Sequence, residues 1–265
     1  MSAAMDGRLE LILTDLRLPT VKRLALDLCA QSDREGWPGN RLLEALFEHE
    51  VNEREVRRIE RHRIESALSP DKRLSGFDFS AVPSVSKAQV MALATGHEWL
   101  DRGANVLLFG PPGVGKTHLI SGLAHALIDA GRRVLFMRCS ELVQRLQTAR
   151  RDLRLAAELA KLDRFDLLVL DDLSYVRRDQ AETSVLFELI AERYERKSIA
   201  ITANTPFSQW GEVFVDTAMT LAAVDRLVHH ATILEMNVES YRRRVAQAAQ
   251  APAKRARAAT TTATT

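Results

Sequence analysis

The segment Gly110–Thr117, GPPGVGKT, has the residue types and spacing of a phosphate-binding loop. It fits the pattern G-x-x-x-x-G-K-[ST] completely, follows the apolar run NVLLF and precedes the helical pattern HLISGLAHALIDA. Glycines let backbone N–H groups converge on phosphate oxygens, the helix N-terminus adds positive charge, and Lys116 can reach the β and γ phosphates. The segment therefore predicts nucleoside triphosphate binding. The predicted contacts are Gly110, Pro111, Pro112, Gly113, Val114, Gly115, Lys116, Thr117 and His118.

Two adjacent carboxylates, Asp171 and Asp172, directly follow the apolar run LLVL. A carboxylate at the end of a strand that neighbours the phosphate loop can hold Mg²⁺ through its water shell, and the Thr117 hydroxyl can join it. An aspartate that only ends a strand is the alternative, but a complete phosphate loop nearby favours the metal. We therefore predict that Asp171 and Thr117 hold Mg²⁺.

A sheet must position these side chains, because short apolar runs alternate with helical stretches from Val106 onward. This alternation predicts an α/β fold with a parallel sheet and helices on both faces. The runs are NVLLF, RVLFM, LLVL, SIAIT and ATILEM, and the helical stretches include 115–130, 140–161 and 181–195. Residues 1–66 have helical patterns only and predict a small all-α domain, residues 67–245 form the predicted nucleotide-binding domain, and the basic tail 246–265 should be disordered.

The composition is that of a globular protein that can bury a core, with 265 residues, of which 46% are apolar and 27% charged. Cys29 and Cys139 do not have metal-ligand spacing, so the cysteines indicate no zinc site. No apolar stretch approaches the ~20 residues that span a bilayer, and we expect a cytoplasmic protein without a membrane partner. The net charge is +2, and basic residues dominate after Glu239, which favours a polyanionic partner.

Several segments together resemble the IstB family of AAA+ ATPases, the helper proteins of insertion-sequence transposition, which are similar to the replicative helicase loader DnaC. They are GPPGVGKTHL, DLLVLDDLSYV, RYERKSIAITANTPFSQW and AAVDRLVHHATILEM followed by ESYR. The resemblance extends over residues 8–244. It implies a P-loop AAA+ domain with a five-stranded parallel sheet flanked by helices, ATP and Mg²⁺ as cofactors, and a homo-oligomer assembled with ATP and DNA.

The resemblance also implies catalytic roles outside the loop. Asp172 stands where many AAA+ proteins have the glutamate that polarises the attacking water, and its shorter side chain implies slow basal hydrolysis. The family's sheet order places the fourth strand between the first and the third. Asn204 would then lie between Lys116 and Asp171 and contact the γ-phosphate as a sensor residue. Thr202 is the alternative candidate for this sensor role. A turn that simply ends the strand is the alternative for Asn204.

Two arginines match positions that act on ATP in the family. Arg226 matches the arginine that AAA+ proteins insert into the neighbouring subunit's site, which would make an isolated monomer an incomplete enzyme. A surface arginine paired with Asp225 is the alternative. Arg242 matches the second sensor arginine, although the family often has a glycine shortly before it, where this chain has Asn237 and Val238.

A helix predicted from Glu141 to Lys161 carries cations along one edge. At about 100° per residue, Arg150, Arg154 and Lys161 share a stripe beside an apolar stripe that includes Leu153. Such a row matches a phosphate backbone and predicts sequence-independent binding, to duplex DNA because no aromatic side chains interleave. An ordinary solvated flank is the alternative. The predicted DNA contacts are Arg145, Arg150, Arg154 and Lys161.

These features favour an ATP-dependent, DNA-binding AAA+ regulator that oligomerises on target DNA. The resemblance implies that it recruits or stimulates the transposase IstA. A DnaC-like replicative helicase loader is the alternative, because it would use the same ATP site and differ only in its partner. A small-molecule kinase would need a substrate pocket and an arginine-rich lid, and the sequence indicates neither.

Overall fold

The computed structural model describes residues 7–173, 180–205, 217–238 and 240. Arg242 and the tail 246–265 lie outside the described residues. The chain divides into two compact units, Met1–Arg61 and His62–Thr265. Within the described ranges, no helix combines the length and the apolar character needed to cross a bilayer.

The first unit is helical, as predicted. Its helices are α1 (Gly7–Asp15), α2 (Pro19–Glu35) and α3 (Gly39–Glu65), the last of which continues past Arg61. Leu13, Val21 and Leu46 form its buried core. The buried Glu50 carboxylate accepts the backbone N–H groups of Thr20 at 2.8 Å and Val21 at 3.1 Å, and it thereby caps the N-terminus of α2.

The second unit contains a five-stranded parallel sheet with the order β2-β3-β4-β1-β5. This confirms the predicted sheet and places the fourth strand between the first and the third. The strands are β1 (Asn105–Phe109), β2 (Val134–Arg138), β3 (Leu167–Asp171), β4 (Ser198–Ala203) and β5 (Ala231–Glu235). The described helices of this unit are α4 (Lys87–Thr95), α5 (Glu98–Asp101), α6 (Lys116–Asp129), α7 (Cys139–Arg151), α8 (Leu155–Leu162), α9 (Gln180–Arg193) and α10 (Thr217–Val228).

The three inner strands are buried along their whole length. Alternate residues of a strand point to opposite faces of a sheet, so a strand without polar alternation must be covered on both faces. Leu107, Leu170 and Ile201 belong to one core cluster with residues of α7, α9 and α10. Helix α6 contacts β1 to β4. Helices therefore flank the sheet, and its carboxyl edge is where the predicted site residues emerge.

The predicted single helix from Glu141 to Lys161 is wrong, because the chain forms α7 and α8 with a tight turn between them. Leu153 has a left-handed φ of 56°. The N–H of Leu153 donates to the Arg150 carbonyl at 3.0 Å, and that of Arg154 donates to the Ala149 carbonyl at 2.7 Å. This pattern closes a helix C-terminus and usually has glycine at the left-handed position. With leucine there, the sequence carried no stop signal.

Candidate active site

The loop between β1 and α6 needs glycine at its turns. Gly113 and Gly115 have φ angles of 84° and 104°, which strain any residue with a Cβ. A Cβ on Gly110 would lie 2.5 Å from the Met236 carbonyl oxygen, so glycine alone lets the loop pass the chain that follows β5. Helix α6 begins at Lys116, and its first-turn N–H groups adjoin the loop.

Lys116 is held inside the loop and is only 6% exposed. Its Nζ donates to the carbonyl oxygens of Gly110 at 2.6 Å and Pro111 at 3.0 Å, and to Oδ1 of Asn204 at 2.9 Å. All three acceptors are neutral oxygens, whereas a phosphate oxygen carries charge and is a stronger acceptor for an ammonium. Asn204 directly follows β4, so the sheet order brings it to Lys116.

Thr117 and Asp171 meet at the carboxyl edge of the sheet. The Thr117 hydroxyl donates to the Asp171 carboxylate, with its Oγ1 at 3.0 and 3.1 Å from the two oxygens. A hydroxyl and a carboxylate are hard oxygen donors of the kind that Mg²⁺ takes alongside water and phosphate. The residues present therefore fit the predicted ion. Asp171 is buried, as expected for a residue at the end of an inner strand.

Thr202 connects the Asp171 carboxylate to the backbone of Asp172, which the sequence did not predict. Its fully buried hydroxyl donates to Oδ1 of Asp171 at 2.5 Å. The Oγ1 of Thr202 also accepts the backbone N–H of Asp172 at 3.0 Å. Thr202 lies on β4 beside β3, so the residue that we named as the alternative sensor contacts both acids.

Asp172 is not part of β3. Its backbone has a left-handed φ of 59° and its side chain is exposed, whereas Asp171 ends the strand and is buried. The two acids therefore do not occupy neighbouring positions of one strand. The separation comes from the turn that begins at Asp172. Aspartate and asparagine tolerate this conformation better than most residues, which suits them to the position.

A pocket of 220 Å³ lies beside the loop and was not predicted. His118, a predicted contact, borders it together with Phe77, whose ring centroid lies 5.6 Å from that of His118. His118 is placed by its Nε2, 3.1 Å from the Arg73 carbonyl oxygen. The remaining lining residues are Gly76, Asp78, Ala81, Val82, Val114 and Gly115. The only signal for this pocket was the aromatic pair in GFDF, upstream of the loop.

Val114 is buried under the loop, while Pro111 and Pro112 are exposed on it. Arg226, on α10, is not brought to the loop by any described contact. It donates to the Ala222 carbonyl of its own helix at 3.1 Å, and its guanidinium lies 5.0 Å from the Phe187 ring centroid.

The predicted row of DNA-binding cations is not a row, because the turn at Leu153 interrupts it. Arg145 and Lys161 instead face each other across a 460 Å³ groove between α7 and α8, where both bond Glu158. Burial raises the pKa of Glu158, but hydrogen bonds from Lys161 and Arg145 outweigh it and hold that pKa below its ordinary value. The carboxylate therefore stays charged and competes with any phosphate.

The other two predicted cations differ in their surroundings. Arg150 bonds Ser184 at 3.1 Å and also Glu188, both on α9. Arg154 is exposed, and its side chain has no partner among the described residues. Leu153, which the single-helix prediction placed on the apolar stripe, is 94% exposed.

Comparison with known proteins identifies the family. The model of the IstB-like ATP binding proteins matches residues 12–249. The chain is 64% identical to the insertion sequence ATP-binding protein y4iQ/y4nD/y4sD of Sinorhizobium fredii over 92% of this chain and 82% of that protein. It is 37% identical to the ATP-binding protein of insertion sequence IS21 from Pseudomonas aeruginosa, over 88% of each chain.

Solved structures confirm the fold. The AMPPCP-bound DnaA of Aquifex aeolicus matches with a TM-score of 0.54 at 17% sequence identity, over 64% of this chain and 51% of that chain. At this identity the likeness shows the AAA+ fold alone. The family model, by contrast, matches the sequence over residues 12–249. The chain therefore belongs to the family of IstB-like ATP-binding proteins.

Proposed function

We propose that this chain binds ATP with Mg²⁺ at the Gly110–Thr117 loop, hydrolyses it, and uses the cycle to control its assembly on DNA for a transposase. The observation that carries the proposal is the meeting of Lys116, Asn204, Thr117 and Asp171 at one sheet edge. The membership in a family of ATP-binding proteins agrees with it.

Each residue of the cluster has a defined task in this proposal. Lys116 exchanges its neutral carbonyl partners for phosphate oxygens, and Asn204 stays within reach because it already bonds the same ammonium. Thr117 and Asp171 would hold Mg²⁺, which neutralises charge on the phosphates when bound. Asp172 orients and polarises the attacking water. The pocket beside His118 and Phe77 is suited to the adenine ring, because aromatic walls stack on a base.

Replacing Thr202 by valine should lower ATP hydrolysis about 10- to 100-fold, the usual effect of losing a side chain that orients a metal-holding group. Valine keeps the shape of the side chain but leaves Asp171 without its 2.5 Å hydrogen bond and the Asp172 N–H without an acceptor. Steady-state phosphate release at varied Mg²⁺ measures the effect. Thr202→Ser retains the hydroxyl and should remain close to the parent, while equal losses in both variants would refute the positioning role.

We propose that the turn between α7 and α8 contacts DNA. Arg154 is exposed there without a described partner, and Leu153 projects beside it. Cations bind backbone phosphates regardless of sequence, and an exposed apolar side chain among them can wedge into a groove. Arg145, Arg150 and Lys161 are less available, because each bonds a carboxylate.

Arg154→Ala should weaken DNA binding and reduce the slope of log affinity against log salt by about 0.9, the value for one lost phosphate contact. Fluorescence anisotropy with a labelled duplex over a salt series gives both quantities. Arg102→Ala is the matched control, since Arg102 is also highly exposed but lies at the end of α5. A slope that Arg154→Ala leaves unchanged would remove this turn from the interface.

The complete proposal is tested by imaging the full chain with duplex DNA and a non-hydrolysable ATP analogue. We expect higher-order oligomers on DNA that recruit the transposase encoded by the same insertion sequence. Monomers alone under these conditions would contradict the assembly. Recovery of a replicative helicase instead of a transposase would favour the loader function.

A further inference from the structure

Glu195, His229 and His230 cluster at the sheet edge opposite the phosphate loop. Glu195 lies in the connection from α9 to β4, and the two histidines lie between α10 and β5. Both connections precede their strands, so they meet at the amino edge of the parallel sheet, whereas the loop follows the carboxyl end of β1. The cluster is therefore separate from the nucleotide site.

The three side chains lie close enough together to share one ion. Oε1 of Glu195 lies 3.7 Å from Nδ1 of His229 and 3.6 Å from Nε2 of His230. All three potential ligand atoms lie within 4.8 Å of one another. Ligands about 2.0–2.1 Å from a tetrahedral zinc ion are roughly 3.4 Å apart, so the Glu195 oxygen would move by a few tenths of an ångström and the imidazoles would rotate to bind the ion.

The backbone that carries these ligands is braced by buried polar side chains. Asn105 is central: its N–H donates to the His230 carbonyl at 3.1 Å, its amide donates to Leu227 at 3.0 Å, and its Oδ1 accepts the Ile199 N–H at 2.9 Å. One side chain therefore ties the residues that follow Glu195 to the residues that flank the histidines.

The Glu195 turn is held from two further sides. Arg193, 1% exposed, donates to the carbonyls of Leu162 at 3.1 Å and Ser198 at 2.9 Å. Gly103 packs so closely that a Cβ there would lie 2.8 Å from the Arg196 nitrogen. A fixed backbone reduces the entropy that a bound ion would otherwise have to overcome.

The cluster is open to solvent on one side. Glu195 and His230 border a cavity of 550 Å³ that Trp99, Arg102 and Ala104 also line. The three side chains are each about half exposed, at 50–53%. Three protein ligands with an open side leave room for water in the remaining coordination positions. The Tyr194 hydroxyl lies 2.7 Å from Nδ1 of His229, and a metal on that nitrogen would replace this hydrogen bond.

We propose that Glu195, His229 and His230 bind a divalent transition-metal ion of the Zn²⁺ class. Two imidazoles and one carboxylate favour zinc, nickel or copper over Mg²⁺, which prefers oxygen ligands. The ion links the C-terminal end of α10 to the turn before β4, across β1. Because α10 also carries Arg226, metal binding restrains the helix that presents this arginine.

Calorimetric titration of Zn²⁺ into the chelator-treated full chain tests the site. The parent protein should bind one ion, and Glu195→Gln and His230→Ala should each lose at least about tenfold in affinity. His49→Ala, which removes an exposed histidine of α3, should bind like the parent. Equal affinity in all four proteins, or no saturable binding by the parent, would overturn the proposal.

A spectroscopic measurement identifies the ligands independently of affinity. With Cu²⁺ as the probe, electron paramagnetic resonance should show coupling to two imidazole nitrogens in the parent and to one in His229→Ala. Circular dichroism checks that each variant is folded, which the exposure of the side chains leads us to expect. An unchanged nitrogen coupling in His229→Ala would also refute the assignment.

Discussion

Asp172→Asn should bind ATP normally and hydrolyse it about 10² to 10⁴ times more slowly, the usual contribution of a general base. An amide cannot accept the proton of the attacking water. The substitution should preserve the backbone conformation of residue 172, because asparagine adopts the left-handed φ of 59° as readily as aspartate. It also keeps the backbone N–H that donates to Thr202. Single-turnover hydrolysis and equilibrium nucleotide binding measure the two effects separately.

The blocked variant should also accumulate as ATP-bound oligomers on DNA, because release requires hydrolysis in our proposal. Asp27→Asn is a suitable control, since it removes an exposed carboxylate from α2, in the other compact unit of the chain. Hydrolysis by Asp172→Asn at the parent rate would show that another group activates the water. Loss of nucleotide binding would instead assign Asp172 to the binding step.

Arg226→Ala should reduce hydrolysis by about 10³-fold or more while leaving ATP affinity nearly unchanged. The described contacts of Arg226 are with Ala222 of its own helix and with Phe187, and none of them is with Lys116. An arginine placed in this way can act on the phosphates of a neighbouring subunit. Arg226→Lys keeps the charge but loses the planar fork and should recover only part of the activity.

Mixing two inactive variants distinguishes action across an interface from action within one chain. Arg226→Ala has an intact loop, and Lys116→Ala has an intact Arg226. In a random equimolar head-to-tail assembly, about a quarter of the interfaces would combine the two intact parts. Hydrolysis should therefore return on mixing, and a mixture as inactive as its components would contradict the proposed role of Arg226.

Much of the fold was predictable because its signals are local. The apolar runs of the inner strands reflect burial on both faces of the sheet. The sequence of the loop between β1 and α6 is a motif that is specific for phosphate-binding loops. The family prediction is confirmed by the match over residues 12–249. The break between α7 and α8 was missed because Leu153 takes a left-handed conformation that sequence usually marks with glycine.

The site was only partly predictable. The structure brings together Lys116, Thr117 and Asp171, which were predicted from their motifs, and Asn204, which was predicted from the implied strand order. The contacts of Thr202 were not predicted, because a threonine in a buried strand cannot be distinguished from other β-forming residues until the neighbouring strand is known. The same holds for Glu195, which lies far along the chain from the adjacent His229 and His230, so the three residues form no recognisable ligand spacing.

Residues close together in the chain were enough to predict the phosphate loop and the alternation of strands and helices, and several such segments together were enough to predict the family. Which side chains meet depends on the tertiary structure. It placed β4 between β1 and β3, so that Thr202 holds Asp171 and Asp172, and it brought Glu195 to His229. In a parallel sheet, neighbouring strands are joined through helices, so contacts across the sheet depend on strand order and packing, which local patterns do not encode.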